Sequence, residues 1–464
     1  MASGLARIFR NYKIFARTRY GGIKQCPLVV LIANQKPNSN NIHTNKRTGS
    51  VKGVKMLEVS RGCTQEEWPK EAISEKDTLA AIRDKAAKLC RDYLRGAWLS
   101  ISPQDMIFRK VSGGLSNYLY FCALPEGTET ISGEPDRLLL RLYGNMNHER
   151  AMETLVTESV IFTLLSESQR GPRLYGVFPG GRLEEYIEAR PLCTQELADA
   201  TLSSLIADKM AQIHLMDVPI NKQPKRLWQT MERWIRQINN INASNNVDES
   251  VRDMMNTLEQ INLYEEYVWL KDYLTNVKSP VVFCHNDLQE GNILLRNNKN
   301  ITDNRKKSMT GKPDFEPDYE NLTSESLVVI DFEYCSYNYR GFDFANHFCE
   351  WVYDYSNEEP PYFWEMQCNQ PNIKQKEHFV QNYLQSLKKY PEYKPHPEDN
   401  LESIMNEIEA FTLAVHFFWL LWSVTNSTDS GICFDYWGFG EVRLQAYYRH
   451  KKKVLADIEN NKSS

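Results

Sequence analysis

"VVFCHNDLQEGNILL", residues Val281–Leu295, decides how the chain is read. An apolar, strand-like run ends in His285, Asp287 and Asn292, with Gly291 just before the last of them. Polar side chains are costly to bury without partners, so their fixed offsets at a strand end mark a site-forming loop. Five positions separate Asp287 from Asn292, enough for a loop to curl and turn both side chains toward one point. A second apolar run, "LVVI" at Leu327–Ile330, ends in Asp331, Phe332 and Glu333. Upstream, "VSGGLSNYLYF" (Val111–Phe121) reads as a strand, a glycine turn and a strand. Gly113 and Gly114 let backbone N–H groups close on an anion, while Ser116 and Asn117 add side-chain donors. Arg141 then ends a further strand, and Glu158 lies within a helix.

That order matches the protein kinases: phosphate loop, strand cation, helix acid, catalytic-loop Asp and Asn, and a metal-binding Asp. Arg141 stands where a kinase has Lys, and Glu333 where Asp-Phe-Gly has its glycine. Asp287 is the candidate base. Asn292 and Asp331 are candidate magnesium ligands, because that ion takes hard oxygens from carboxylates, amides and phosphates. His285 is expected to brace the loop by hydrogen bonding rather than to exchange protons. Two plainer readings remain open: Arg141–Glu158 as a surface ion pair of little consequence, and Gly113-Gly114 as an ordinary hairpin turn.

The 464 residues, 42% hydrophobic and 11% aromatic, suit a two-lobed protein. Residues 1–75 read as a basic, disordered extension, 76–190 as a nucleotide-binding lobe and 191–464 as a catalytic lobe carrying a flexible insertion at 296–325. The fold class is α+β, a small antiparallel-sheet N-lobe on a large helical C-lobe. Apolar periodicity predicts helices at Lys76–Leu94, Leu197–Met216, Leu227–Ile241 and Val251–Val277. "AFTLAVHFFWLLWSV" (Ala410–Val424) is short for a membrane span, contains His416 and reads as a buried helix. Ten cysteines include no C-x-x-C pair, so a reduced, intracellular chain is expected, without zinc site or disulfide framework. Residues 1–57 hold eleven Lys or Arg and no acid, leaving 44 basic against 60 acidic residues in the rest. The acidic body excludes nucleic acid as a partner. The tail leaves open organelle targeting or contact with acidic membrane, with the cytoplasm as the expected location.

After Asp331 the chain is rich in rings. Tyr334, Tyr355 and the acid Glu350 are followed by Trp419 and Trp422, three apart on one helix face. Rings around a carboxylate favour a quaternary ammonium by cation–π attraction, although tryptophans on an apolar helix also serve simply as core. "SGGLSNYLYFCALP", "LLLRLYG", "GPRLYGVFPGGRLEEYI", "FCHNDLQEGNILL", "VVIDFEYCSYNYRGFDFANHFCEWVYDY" and "HFFWLLWSV" resemble the choline/ethanolamine kinase family from about residue 85 to 450. The resemblance implies ATP and Mg2+, transfer of the γ-phosphate to the hydroxyl of choline, and a homodimer. On matching positions it implies Asp287 as base, and Asn292 and Asp331 on metal and nucleotide. Ser112, Gly113, Gly114, Leu115, Ser116, Asn117, Tyr118, Arg141, Glu185, Tyr186, Ile187, Gln289 and Asp331 are implied in binding ATP. Gly114, Ser116, Asp287, Gln289, Tyr334, Glu350, Tyr355, Trp419 and Trp422 are implied in binding the acceptor. Glu185 stands where many relatives have Gln. Choline is the favoured acceptor, ethanolamine a second substrate or the main one. An aminoglycoside kinase of the same fold and a catalytically silent scaffold are the competing readings; the ring set argues against the first and the intact acids against the second.

Overall fold

The computed structural model describes residues 78–111, 117–143, 148–178, 180–241, 249–296, 319, 321–427 and 433–463. The basic extension, the glycine turn Ser112–Ser116 and nearly all of the 296–325 insertion lie outside them.

Helix α1 (Leu79–Tyr93) precedes an antiparallel sheet whose strands β1 (Ile107–Val111), β2 (Asn117–Ala123), β3 (Arg137–Tyr143), β4 (Leu174–Phe178) and β5 (Gly181–Glu185) lie in the order β1-β2-β3-β5-β4. Helix α2 (His148–Glu167) connects β3 to β4. Side chains alternate across a strand, so Leu138, Leu140 and Leu142 enter the core formed with Ile82, Ala86, Trp98 and Leu183. Arg141 therefore faces the other way, opposite Arg182 in register. Its position on the cleft face follows from that alternation.

The larger lobe contains β6 (Ala189–Pro191), α3 (Ala200–His214), α4 (Lys225–Ile241), α5 (Glu249–Ile261), α6 (Leu263–Thr275), β7 (Val281–Cys284), β8 (Ile293–Arg296), β9 (Leu327–Val329), β10 (Ser336–Tyr339) and α7 (Arg340–Glu350). It continues through β11 (Tyr353–Asp354), β12 (Trp364–Glu365), α8 (Ile373–Leu387), α9 (Leu401–Asn426) and α10 (Tyr436–Ser463). This is the two-lobed, kinase-like α+β architecture that the sequence predicts. One expectation needs correction: Val251–Val277 is two helices. Asn262 takes φ 50° between them and caps the second by accepting from the Glu265 N–H. Asn is one of the few residues that enters the left-handed region at small cost, so it breaks a pattern whose apolar period runs on unbroken.

Helix α9 is long and apolar enough to cross a membrane by length and composition, yet its apolar residues are buried in the core. It packs against α4, α7 and α10. A buried ion pair fastens its first half, with Arg340 2.5 Å from Glu407 and also bonded to Asp399. All eight described cysteines are free thiols.

Candidate active site

The loop opened by β7 is held from below by one carboxylate. Asp343, fully buried on α7, accepts from the His285 N–H at 2.9 Å and the Asn286 N–H at 2.7 Å. His214 Nε2 lies 2.9 Å from the same carboxylate. Burial alone would raise the Asp343 pKa, but the contacts with His214 and His285 hold it below the usual range. Asn286, at φ 66°, donates to Tyr334 O and Ser336 Oγ and accepts from Asn338, tying the loop to β10. His285 is a brace, as expected. Its Nδ1 accepts from the Asp287 N–H at 3.3 Å, and its Nε2 lies 3.0 Å from Ile330 O, linking the two strand ends. Burial keeps this imidazole below the ordinary histidine pKa.

Asn292 Nδ2 donates to Asp287 Oδ2 and to Asp287 O, both at 2.9 Å. The spacing read from the sequence thus closes into a real contact. Gln289 Oε1 accepts from the Gly291 N–H at 2.7 Å, and a Cβ at 291 would lie 2.9 Å from that oxygen, so a larger residue there displaces the Gln289 amide. Asp343→Ala leaves two buried loop N–H groups without an acceptor, at about 1–3 kcal/mol each. The expected result is a lowered Tm together with loss of activity, read by calorimetry and by assay at a temperature where the variant is still folded. An unchanged Tm would rule out this brace.

Asp331 follows β9 at φ 63° and accepts from Arg141 Nη1 at 3.2 Å. Beside it Glu333 accepts from Asn117 Nδ2 at 3.1 Å, so two N-lobe side chains bridge to the C-lobe acids. The kinase-like pairing of Arg141 with Glu158 is not what forms. Among the described residues Arg141 bonds Glu184 at 3.3 Å and Asp331, and Arg182 holds the other Glu184 oxygen at 2.6 Å. Glu184 lies two residues beyond Arg182, the register partner of Arg141 on β5, so its side chain falls on the same face and in the same buried network. Glu158 feels Arg182, Arg226 and Arg141 only as neighbouring charges, and burial raises its pKa.

The electrostatics test whether a cation belongs here. Burial, then the charges of Glu350, Asp331 and Glu333, push the Asp287 carboxyl well above its ordinary pKa. Burial and then Asp331 push Glu333 up to about 7. Three acids therefore bear on Asp287, a repulsion that a divalent ion would relieve. Asn292 commits its amide nitrogen to Asp287, leaving the oxygen, a hard donor. The donor set of Asn292 and Asp331 fits magnesium.

The ring cluster also assembles. Tyr334 lies 5.5 Å from Trp419, Trp419 5.4 Å from Trp422, and Trp422 5.5 Å from Tyr436, centroid to centroid. Phe434 and Phe439 connect Trp422 to Tyr355. Both tryptophans are buried, and Trp419 Nε1 donates to Asn346 at 2.7 Å, so the core reading holds for them as well. Glu350 is not a lone carboxylate. Arg443 lies 2.5 Å from one oxygen, and the Tyr355 hydroxyl donates to the other at 2.7 Å. Arg443 in turn stacks on Tyr353, 3.8 Å from the ring centroid. Arg443, Tyr436, Phe434, Phe439 and Asp343 were missed by the sequence reading. The "GFDFANH" run after β10 held a signal for Asp343, whereas Arg443 sits 93 positions from Glu350 with nothing local to mark it.

Of the remaining candidates, Glu185 Oε2 accepts from the Arg173 N–H, and Tyr186 packs edge-on to Phe121 with its hydroxyl 3.4 Å from Arg109. Ile187 is buried and Tyr118 lies under Lys110. Glu185, Tyr186 and Ile187 form the connector leaving the N-lobe sheet. Ser112, Gly113, Gly114, Leu115 and Ser116 fall outside the described residues.

The sequence profile of the choline/ethanolamine kinase family matches residues 108–448. A human protein named choline/ethanolamine kinase is 41% identical over 399 residues, covering 85% of this chain and 93% of its own. Mouse choline kinase alpha is 38% identical over 391 residues, covering 80% of this chain and 81% of its own. Among solved structures, a choline kinase from Cryptosporidium parvum Iowa II superposes with a TM-score of 0.57 at 24% identity, over 80% of this chain and 96% of that one; this supports the fold alone.

Proposed function

The chain belongs to the choline/ethanolamine kinase family, and from that premise we propose that it transfers the γ-phosphoryl group of ATP to the hydroxyl of choline. The reading is carried by one observation: Asp287, held by Asn292, lies within the field of both Asp331 and Glu350. Nucleotide-side and cation-side acids thus meet at the candidate base.

Asp287 accepts the acceptor's hydroxyl proton as the phosphoryl group arrives in line. Arg141, fixed by Glu184 and Asp331, presents positive charge toward the phosphates. Asn292 and Asp331 would hold Mg2+, which supplies the charge that offsets these carboxylates and the phosphate oxygens. Most of the acceleration comes from positioning and charge stabilisation. Tyr334, Trp419, Trp422 and Tyr355 give the trimethylammonium group ring faces in place of water. Glu350 supplies negative charge, shared with Arg443. Ethanolamine fits the same acid-and-ring pocket as a second acceptor, its ammonium donating hydrogen bonds. A cytoplasmic homodimer with lobes at 76–190 and 191–464 is the accompanying proposal, with residues 1–75 as an appended tail.

Purified protein with ATP, Mg2+ and either amino alcohol is expected to form both phosphomonoesters, with the larger kcat/KM for choline. Chelation of the metal should stop turnover. A larger kcat/KM for ethanolamine would make it the main substrate, and no product from either would remove the proposal.

A further inference from the structure

A cavity of about 370 Å³ opens on the C-lobe among α7, α8, α9 and α10. None of Asp287, Asp331, Glu350, Trp419 or Trp422 lines it. Its buried floor includes Phe348, Tyr353 and His416, and its rim carries Lys376, Arg449 and Lys453. We propose that this cavity is a second ligand site, separate from the catalytic cleft, that takes a compact phosphate monoester.

Charge balance favours an anion. Among the lining residues the one acid is Glu409. Lys453 is bonded to its carboxylate, and His450 Nε2 lies 2.6 Å from its backbone oxygen. Arg449 makes a 3.3 Å contact with Glu365 and stays half exposed. Lys376 makes no ion pair among the described residues, its ammonium lying 5.9 Å from the Phe348 ring. A second observation points to a ligand. His416 Nδ1 is buried without a hydrogen-bond partner, while its Nε2 faces Cys349 Sγ at 3.7 Å. A buried polar atom left unpartnered costs about 1–3 kcal/mol; Nδ1 is closed off in this structure, and a ligand oxygen meets it when the imidazole turns toward the cavity. Burial, and then the positive charges of Arg443, His450 and Arg449, hold the His416 imidazole well below the ordinary histidine range.

Size and lining narrow the class. The volume holds about a dozen waters at roughly 30 Å³ each, more than bare phosphate fills. Apolar ring faces below and cations at the rim match a small organic group that ends in a phosphate.

Phenyl phosphate is the probe, titrated calorimetrically into the full chain with Mg2+ and a non-hydrolysable ATP analogue, and again without them. Phenol and inorganic phosphate at matched ionic strength are the comparisons. The expected result is saturable binding at one per chain that survives the analogue, exceeds that of either comparison compound, and weakens at least tenfold in Lys376→Glu. Lys376→Ala should weaken it less, with kcat within twofold of the parent in both variants. Binding abolished by the analogue would place the phosphate in the nucleotide cleft and overturn the proposal. So would absence of saturable binding, equal affinity for inorganic phosphate, or undiminished affinity in Lys376→Glu.

Discussion

Asp287→Asn is expected to lower kcat by about 10²–10⁴-fold, the range contributed by a positioned general base, while ATP still binds. The substitution keeps an oxygen for the Asn292 amide, which now donates to Asp287 at 2.9 Å. It also relieves rather than adds repulsion, because the neighbouring charges of Glu350, Asp331 and Glu333 already disfavour the ionised form. The fold should therefore be kept or stabilised, and the loss confined to chemistry. Nucleotide affinity measured by calorimetry, beside single-turnover product formation, separates the two. A variant with near-parental kcat would show that another group accepts the hydroxyl proton.

The second large effect belongs to the ring cluster. Trp422→Leu should raise the choline KM by roughly tenfold or more, since a desolvated cation–π contact contributes about 2 kcal/mol and 1.4 kcal/mol is a factor of ten. The ATP KM should stay within twofold. Leucine is preferred to alanine here because Trp422 packs against Trp419, Phe434, Tyr436 and Phe439. Truncation to alanine in such a core costs about 3–5 kcal/mol and would confuse unfolding with loss of recognition. Parallel increases in both KM values, with a lowered Tm, would assign Trp422 to packing alone. Glu350→Gln is a poorer test, because it removes the counter-charge of Arg443, a fully buried cation whose Nε and Nη1 already lack hydrogen bonds.

The strand ends, the turn at Gly291 and the Asp287–Asn292 contact were legible because each depends on residues a few positions apart. Backbone geometry fixes such offsets once the strand is formed, so spacing alone announces them. The alternation in β3 likewise placed Arg141 on the cleft face. Helix α9 was legible as a buried core helix from its apolar composition on all sides. What periodicity could not reveal was the break at Asn262, where one left-handed residue interrupts an otherwise continuous apolar face.

The order of elements, the two-lobed class and the identity of the acids at the cleft were thus carried by the chain itself. Partner choice was not. Arg141 meets Glu184 instead of Glu158, Asp343 reaches back 58 and 57 positions to the loop after β7, and Arg443 meets Glu350 across 93 positions. Each of these pairings depends on how helices and sheet edges pack over long separations. A buried charge takes whichever counter-charge the packing delivers to it, because the cost of leaving it alone exceeds any preference written into the local sequence.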